Sequence, residues 1–123
     1  MHRIGCSILA AGLMVVAAQA HAENPKLETT ADLVAFCDTE GAVGEVRDGQ
    51  NFCDGFIAGT GLLYRELVQA GQMKKIACAD PIPTLAEARD AFVAWAGQNS
   101  EHMASKPIDG FWRAMAATYP CPK

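Results

Sequence analysis

A small all-α bundle of about four helices, stapled by disulfides, is the fold class this sequence predicts, and three features predict it. Apolar residues recur at helical spacing in four separate segments. Helix start and stop signals stand at the ends of those segments. Four cysteines downstream of an amino-terminal leader form an even set with no C-x-x-C pair.

The leader reads MHRIGCSILAAGLMVVAAQAHAENP. Arg3 supplies a positive start, Ile8 to Ala18 form an apolar run, and Ala20-His21-Ala22 fits a small-x-small cleavage pattern. Residues 1–22 are therefore expected to be a secretory signal peptide, cut between Ala22 and Glu23. A run of about 11 residues is too short for the roughly 20 that span a bilayer, so no retained membrane anchor is expected. Cys6 lies too near the start, and lacks the lead-in, for a lipoprotein acylation site. Residues 23–123 then form one small domain. Loss of Arg3 leaves 9 basic against 14 acidic side chains, a net of −5. That surface disfavours nucleic acid and anionic membrane and suits a basic protein partner.

The first helix is expected to begin near Thr29 or Thr30, either of which can cap it, with Leu33, Phe36 and Cys37 on one face. The second is expected from about Gln50 to Ala70, with Phe52, Phe56, Leu63 and Leu67 on a stripe and Gly71 as its stop. It contains NFCDGFIAGTGLL, whose interior glycines each cost about 1 kcal/mol relative to alanine. Gly55 and Gly59 are four apart, so they predict close approach of another helix; Gly61 points elsewhere. Asp54, Arg65 and Glu66 in the same segment exclude a membrane dimerisation motif. Thr84-Leu85-Ala86-Glu87 is a capping box opening the third helix. Its apolar face is Leu85, Ala88, Phe92, Trp95 and Ala96, with Gly97 as the closing residue. Pro107 opens the fourth helix, where Ile108, Phe111, Trp112, Met115, Ala116 and Tyr119 keep an amphipathic period.

Helix order ranks the three possible cysteine pairings. In an up-and-down bundle, Cys37 at the end of the first helix meets Cys53 at the start of the second. Cys78 and Cys121 follow the second and fourth helices at the opposite end. The predicted disulfides are Cys37–Cys53 and Cys78–Cys121, contributing about 3 and 4 kcal/mol on the loop-entropy model. With the thiols paired and no C-x-x-C spacing, neither zinc nor redox chemistry is expected.

Chemistry-bearing residues are few. Beyond the leader the chain has one histidine, His102, and two serines, Ser100 and Ser105. Asp38 and Glu40 fall in a polar loop and read as solvated surface rather than an acid/base dyad. The chain is not expected to be an enzyme, and no catalytic, cofactor-binding or metal-binding residue is assigned. Two irregular connections remain as candidate partner-binding surfaces. GQMKKIACADPIP, Gly71 to Pro83, offers Met73, Lys74 and Lys75. GQNSEHMASK, Gly97 to Lys106, offers Asn99, Glu101, His102 and Met103. The Thr39–Gly49 connection, with Glu40, Glu45, Arg47 and Asp48, is acidic and could attract a basic partner.

As a set these residues resemble a known family. Cys53-Asp54-Gly55-Phe56-Ile57-Ala58-Gly59 resembles the C-x-G-[YF]-[IV]-x-G signature of the Rap/Tai-type immunity proteins, which protect bacteria from type VI secretion amidase effectors. Lys106-Pro107-Ile108-Asp109-Gly110-Phe111-Trp112-Arg113-Ala114-Met115, with Tyr119-Pro120-Cys121, resembles that family's last helix and ending. Cys78-Ala79-Asp80-Pro81 and Asn99-Ser100-Glu101-His102 depart from the family pattern, and both lie in candidate binding connections. The resemblance implies a disulfide-bonded periplasmic inhibitor, often a homodimer, that occludes the active-site cleft of a secreted cell-wall amidase. It implies no cofactor and no catalytic residue. The alternative is an HdeA-like periplasmic stress chaperone, or another envelope interaction protein, exposing apolar surface at low pH.

Overall fold

The computed structural model describes residues 26–38 and 46–123. The expected leader and its cleavage site, together with Thr39, Glu40 and Glu45, lie outside the described residues, as do the side chains of Arg47 and Asp48. Four helices follow in order: α1 (Thr30–Cys37), α2 (Val46–Gln69), α3 (Leu85–Ala96) and α4 (Pro107–Thr118), with a 3-10 turn at Ser100–His102 before α4. No strand occurs among the described residues. The chain is an all-α bundle, as its periodicity predicts.

Local chemistry sets most of the helix ends. Thr29 caps α1 by accepting from the Asp32 amide, while Asp32 accepts from the Thr29 amide. Thr84 and Glu87 form the same reciprocal box at α3. Pro107 is the first residue of α4. At the end of α2, Gly71 takes φ +68°. Its amide bonds to the Val68 carbonyl at 3.1 Å and the Gln72 amide to the Leu67 carbonyl at 2.9 Å, a Schellman closure. Gly97 closes α3 in a right-handed conformation instead. The start of α2 differs from expectation: it begins at Val46, about a turn before Gln50, so the last four residues of the expected 39–49 loop are helix.

Both disulfides pair as the bundle order requires, Cys37 with Cys53 and Cys78 with Cys121. The core gathers Leu33, Cys37, Cys53, Ile57, Ala88, Phe92, Phe111, Ala114 and Met115. Asp54 of α2 accepts from Arg89 of α3 at 2.8 Å, and the arginine is mostly buried. Phe36 and Phe52 pack with centroids 4.5 Å apart beside the first disulfide.

Three packing expectations need correction. A Cβ added at Gly55, Gly59 or Gly61 would meet nothing within 4 Å, so these glycines do not mark a helix contact. The close approach is at Gly110, where a Cβ would overlap the side chain of buried Thr30. Glycine there lets α4 press against α1. Second, of the expected α4 stripe Phe111 and Met115 are buried, but the buried face is completed by Pro107, Gly110 and Ala114, so it is turned by roughly a quarter turn from the stripe through Ile108, Phe111, Trp112, Met115, Ala116 and Tyr119. Small Gly110 and Ala114 permit the tighter packing, and Ile108 is left on the flank. Third, α2 buries Cys53, Ile57 and Thr60, whereas Leu63 is 55% exposed.

Candidate functional site

The length of α2 creates the site. Its 24 residues extend about 36 Å, whereas the 8 residues of α1 cover about 12 Å. Once the first disulfide ties α1 to the beginning of α2, the second half of α2 finds its neighbours, among the described residues, in α3, α4 and the connection after α2. Tyr64 organises that half. Its hydroxyl donates to the Ala77 carbonyl at 3.0 Å and accepts from the Ile76 amide at 3.0 Å and the Ala77 amide at 3.3 Å. Its ring packs on Trp112, centroids 4.3 Å apart, and the Trp112 indole N–H donates to Thr60 at 3.0 Å. The Cys78–Cys121 disulfide and a 2.8 Å bond from the Cys78 amide to the Tyr119 carbonyl hold the far end of the connection.

Tyr64 and Trp112 form a ridge with a groove on either side. The first groove, of about 540 Å³, runs between α2 and α4 and includes Leu63, Met73, Ile76 and Ile108. The second, of about 630 Å³, lies between α2, the Gly71–Pro83 connection and the start of α3, and includes Leu62, Ile82 and Leu85. Those seven are the large apolar side chains left exposed among the described residues, and every one lines a groove. Ile82 is 77% exposed. Scattered apolar exposure is ordinary on a protein surface; its concentration around one ridge marks an interaction site.

The grooves differ in charge. In the first, Asp109 and Arg113 bond at 2.8 Å and neutralise each other. The Arg113 guanidinium holds the Asp109 carboxyl below its ordinary value, and the carboxylate raises Arg113 in return. The charged residues lining the second are Arg65 and Lys75, both cationic, with no carboxylate among them.

The seven sequence-derived candidates separate. Met73 lines the first groove and Lys75 the second; Lys74 is exposed and lines neither. The other four lie on the connection between α3 and α4. The Asn99 amide donates to the Trp95 carbonyl at 2.8 Å. The His102 ring stacks on Trp95 with centroids 5.6 Å apart and has the Glu101 carboxylate at 3.8 Å. The Met103 carbonyl accepts from the Ala31 amide at 3.0 Å. Sequence reading assigned Leu63, Leu85, Ile108 and Trp112 to the core and so did not include them in a site. The available signal was a surplus of large apolar residues beside small ones, Gly110 and Ala114, on the same helix.

The arrangement is suited to covering by an apolar partner, each newly buried methylene contributing about 0.8 kcal/mol. Among the described residues no three His, Cys, Asp or Glu side chains converge on a metal-sized site. No described helix is long and apolar enough to cross a membrane.

No curated protein and no solved structure matches the chain. The family model of the Rap1a immunity proteins does match, over residues 29–121. That stretch runs from the Thr29 cap of α1 to the last disulfide cysteine and takes in all four helices. The chain belongs to the Rap1a immunity protein family.

Proposed function

We propose that this protein is the immunity partner of a secreted cell-wall amidase and neutralises it in the periplasm by covering its active-site cleft. The observation that carries the reading is the family match across residues 29–121. The apolar surface around Tyr64 supplies a physical means, because covering it releases water from side chains the bundle leaves exposed. The protein acts in this reading by occlusion and not by catalysis. A leader ending at Ala22 delivers it to an oxidising compartment, where the two disulfides form and persist.

The test is a titration. Residues 23–123, with both disulfides intact, are added to the amidase encoded beside the gene, and peptidoglycan cleavage is followed. Cleavage is expected to stop at a fixed stoichiometric ratio. Full cleavage in excess of the protein, with no complex on size-exclusion chromatography, overturns the reading. An acid-activated chaperone has weaker support. Acid protonates the carboxylates capping α1 and α3, but the disulfides still tie α1 to α2 and the two later segments together.

A further inference from the structure

We propose that the groove bearing Arg65 and Lys75 receives an apolar segment of the effector that carries a carboxylate beside it. This rests on the immunity reading and adds the chemistry of the contact.

Charge complementarity selects the occupant. The full chain carries a net charge of −4, so its overall field favours basic partners. The groove between α2 and the Gly71–Pro83 connection is locally the reverse: its lining is apolar apart from a few polar groups, and its charged side chains are two cations. Among the described residues Lys75 makes no ion pair, and Arg65 has a loose one, 3.9 Å from the exposed Glu66. Leu62, Ile82 and Leu85 are exposed in the free protein, and an apolar segment that covers them excludes water and lowers the dielectric beside the two cations. A carboxylate arriving with an apolar segment therefore gains more there than on open surface. The first groove exerts no such selection, because Asp109 and Arg113 already neutralise each other.

The same charges disfavour a second copy of this chain as the occupant. A two-fold contact sets a patch against itself, which would place two Arg65 and two Lys75 side chains together. A carboxylate on the effector also fixes register, since a basic partner docking elsewhere would leave the two cations unmatched.

The experiment uses the oxidised protein, residues 23–123, and the amidase it inhibits in the titration above. Arg65→Glu with Lys75→Glu is compared with Lys26→Glu with Lys123→Glu, which changes net charge equally at exposed residues lining neither groove. The groove pair is expected to weaken binding by about a hundredfold at low salt, less at high salt, with an unchanged melting temperature. The control pair is expected to change binding by less than about threefold. Carbodiimide coupling of the wild-type complex is expected to join Lys75 to an Asp or Glu of the amidase next to apolar residues. Unchanged affinity of the groove pair overturns the inference while inhibition by the wild type still stands. Equal loss in both pairs overturns it as a general charge effect. If the groove pair alters only self-association, or only binding of decanoate, the occupant is a second copy or a fatty acid and the inference fails. A wild type that does not bind the amidase overturns the immunity reading itself.

Discussion

The two connections flanking α3 both open Gly-Gln and carry one methionine, with two lysines in residues 71–83 and one in residues 97–106, and reach opposite ends. Residues 97–106 are drawn onto the bundle. Their carbonyls at Met103 and Ser105 accept from the Ala31 and Thr30 amides at 3.0 and 2.7 Å. Those amides are orphan donors at the start of α1, so a helix beginning there needs acceptors from elsewhere in the chain. Residues 71–83 close α2 with their first amides, those of Gly71 and Gln72 among them, and beyond that give a helix end one bond, from the Cys78 amide to the Tyr119 carbonyl after α4. Tyr64 and one disulfide hold the segment, and its apolar side chains stay outside. A connection whose carbonyls are drawn to the start of another helix lies down on the bundle; one whose helix-end bonds sit near its two ends can present the side chains between them.

The strongest way to break this contrast is Cys78→Ala with Cys121→Ala. It frees the outer connection and is expected to cost about 4 kcal/mol in a urea melt. A loss near zero would mean that the connection holds itself in place. Gly110→Ala attacks the docked side, because its Cβ meets Thr30, whose hydroxyl lies 2.9–3.1 Å from Ser105 and Lys106 oxygens. The expected cost is about 1–3 kcal/mol, with faster amide exchange at Thr30 and Ala31. The alanine change at exposed Gly55 should be neutral or stabilising in the same melt.

Tyr64→Phe sharpens the comparison more finely. It removes the hydroxyl that holds Ile76 and Ala77 and should cost about 1 kcal/mol. Amide exchange is expected to quicken at Ala77 and to stay slow at Ala31. The smallest effect concerns pH. Asp32 and Glu87 cap the helices beside the two connections. The amide of Glu28 leads in holding Asp32 below its ordinary value, and the amide of Thr84 does the same for Glu87. A carboxylate lowered by folding stabilises fully above its unfolded value, and that contribution fades as pH falls through the folded value. Urea midpoints should therefore drop in acid below about pH 4, and Asp32→Asn or Glu87→Gln should flatten that slope.

Legibility in the sequence followed the range of the interaction. Thr84 with Glu87, Pro107 and Gly71 act within a few residues, and each stands where the pattern places it. The disulfides were readable because helix order leaves one simple pairing. The faces of α2 and α4 were readable only in part, at Phe56, Phe111 and Met115. Large apolar residues at helical spacing suggest a core stripe, but Ile108 and Leu63 face the groove, while Gly110, Ala114 and Thr60 turn inward. The spacing of Gly55 and Gly59 suggested a contact that the packing places at Gly110.

By itself, then, the sequence determined where helices start and stop, how the cysteines pair and which family the motifs resemble. Those depend on caps, turns and chain order, all local or topological. Only the tertiary structure decided how each helix is rotated and which apolar side chains remain outside. Hydrophobic transfer is non-directional and nearly indifferent to a quarter turn, whereas the distance between helices depends on the small residues of both partners. The grooves around Tyr64 are the result of that second choice.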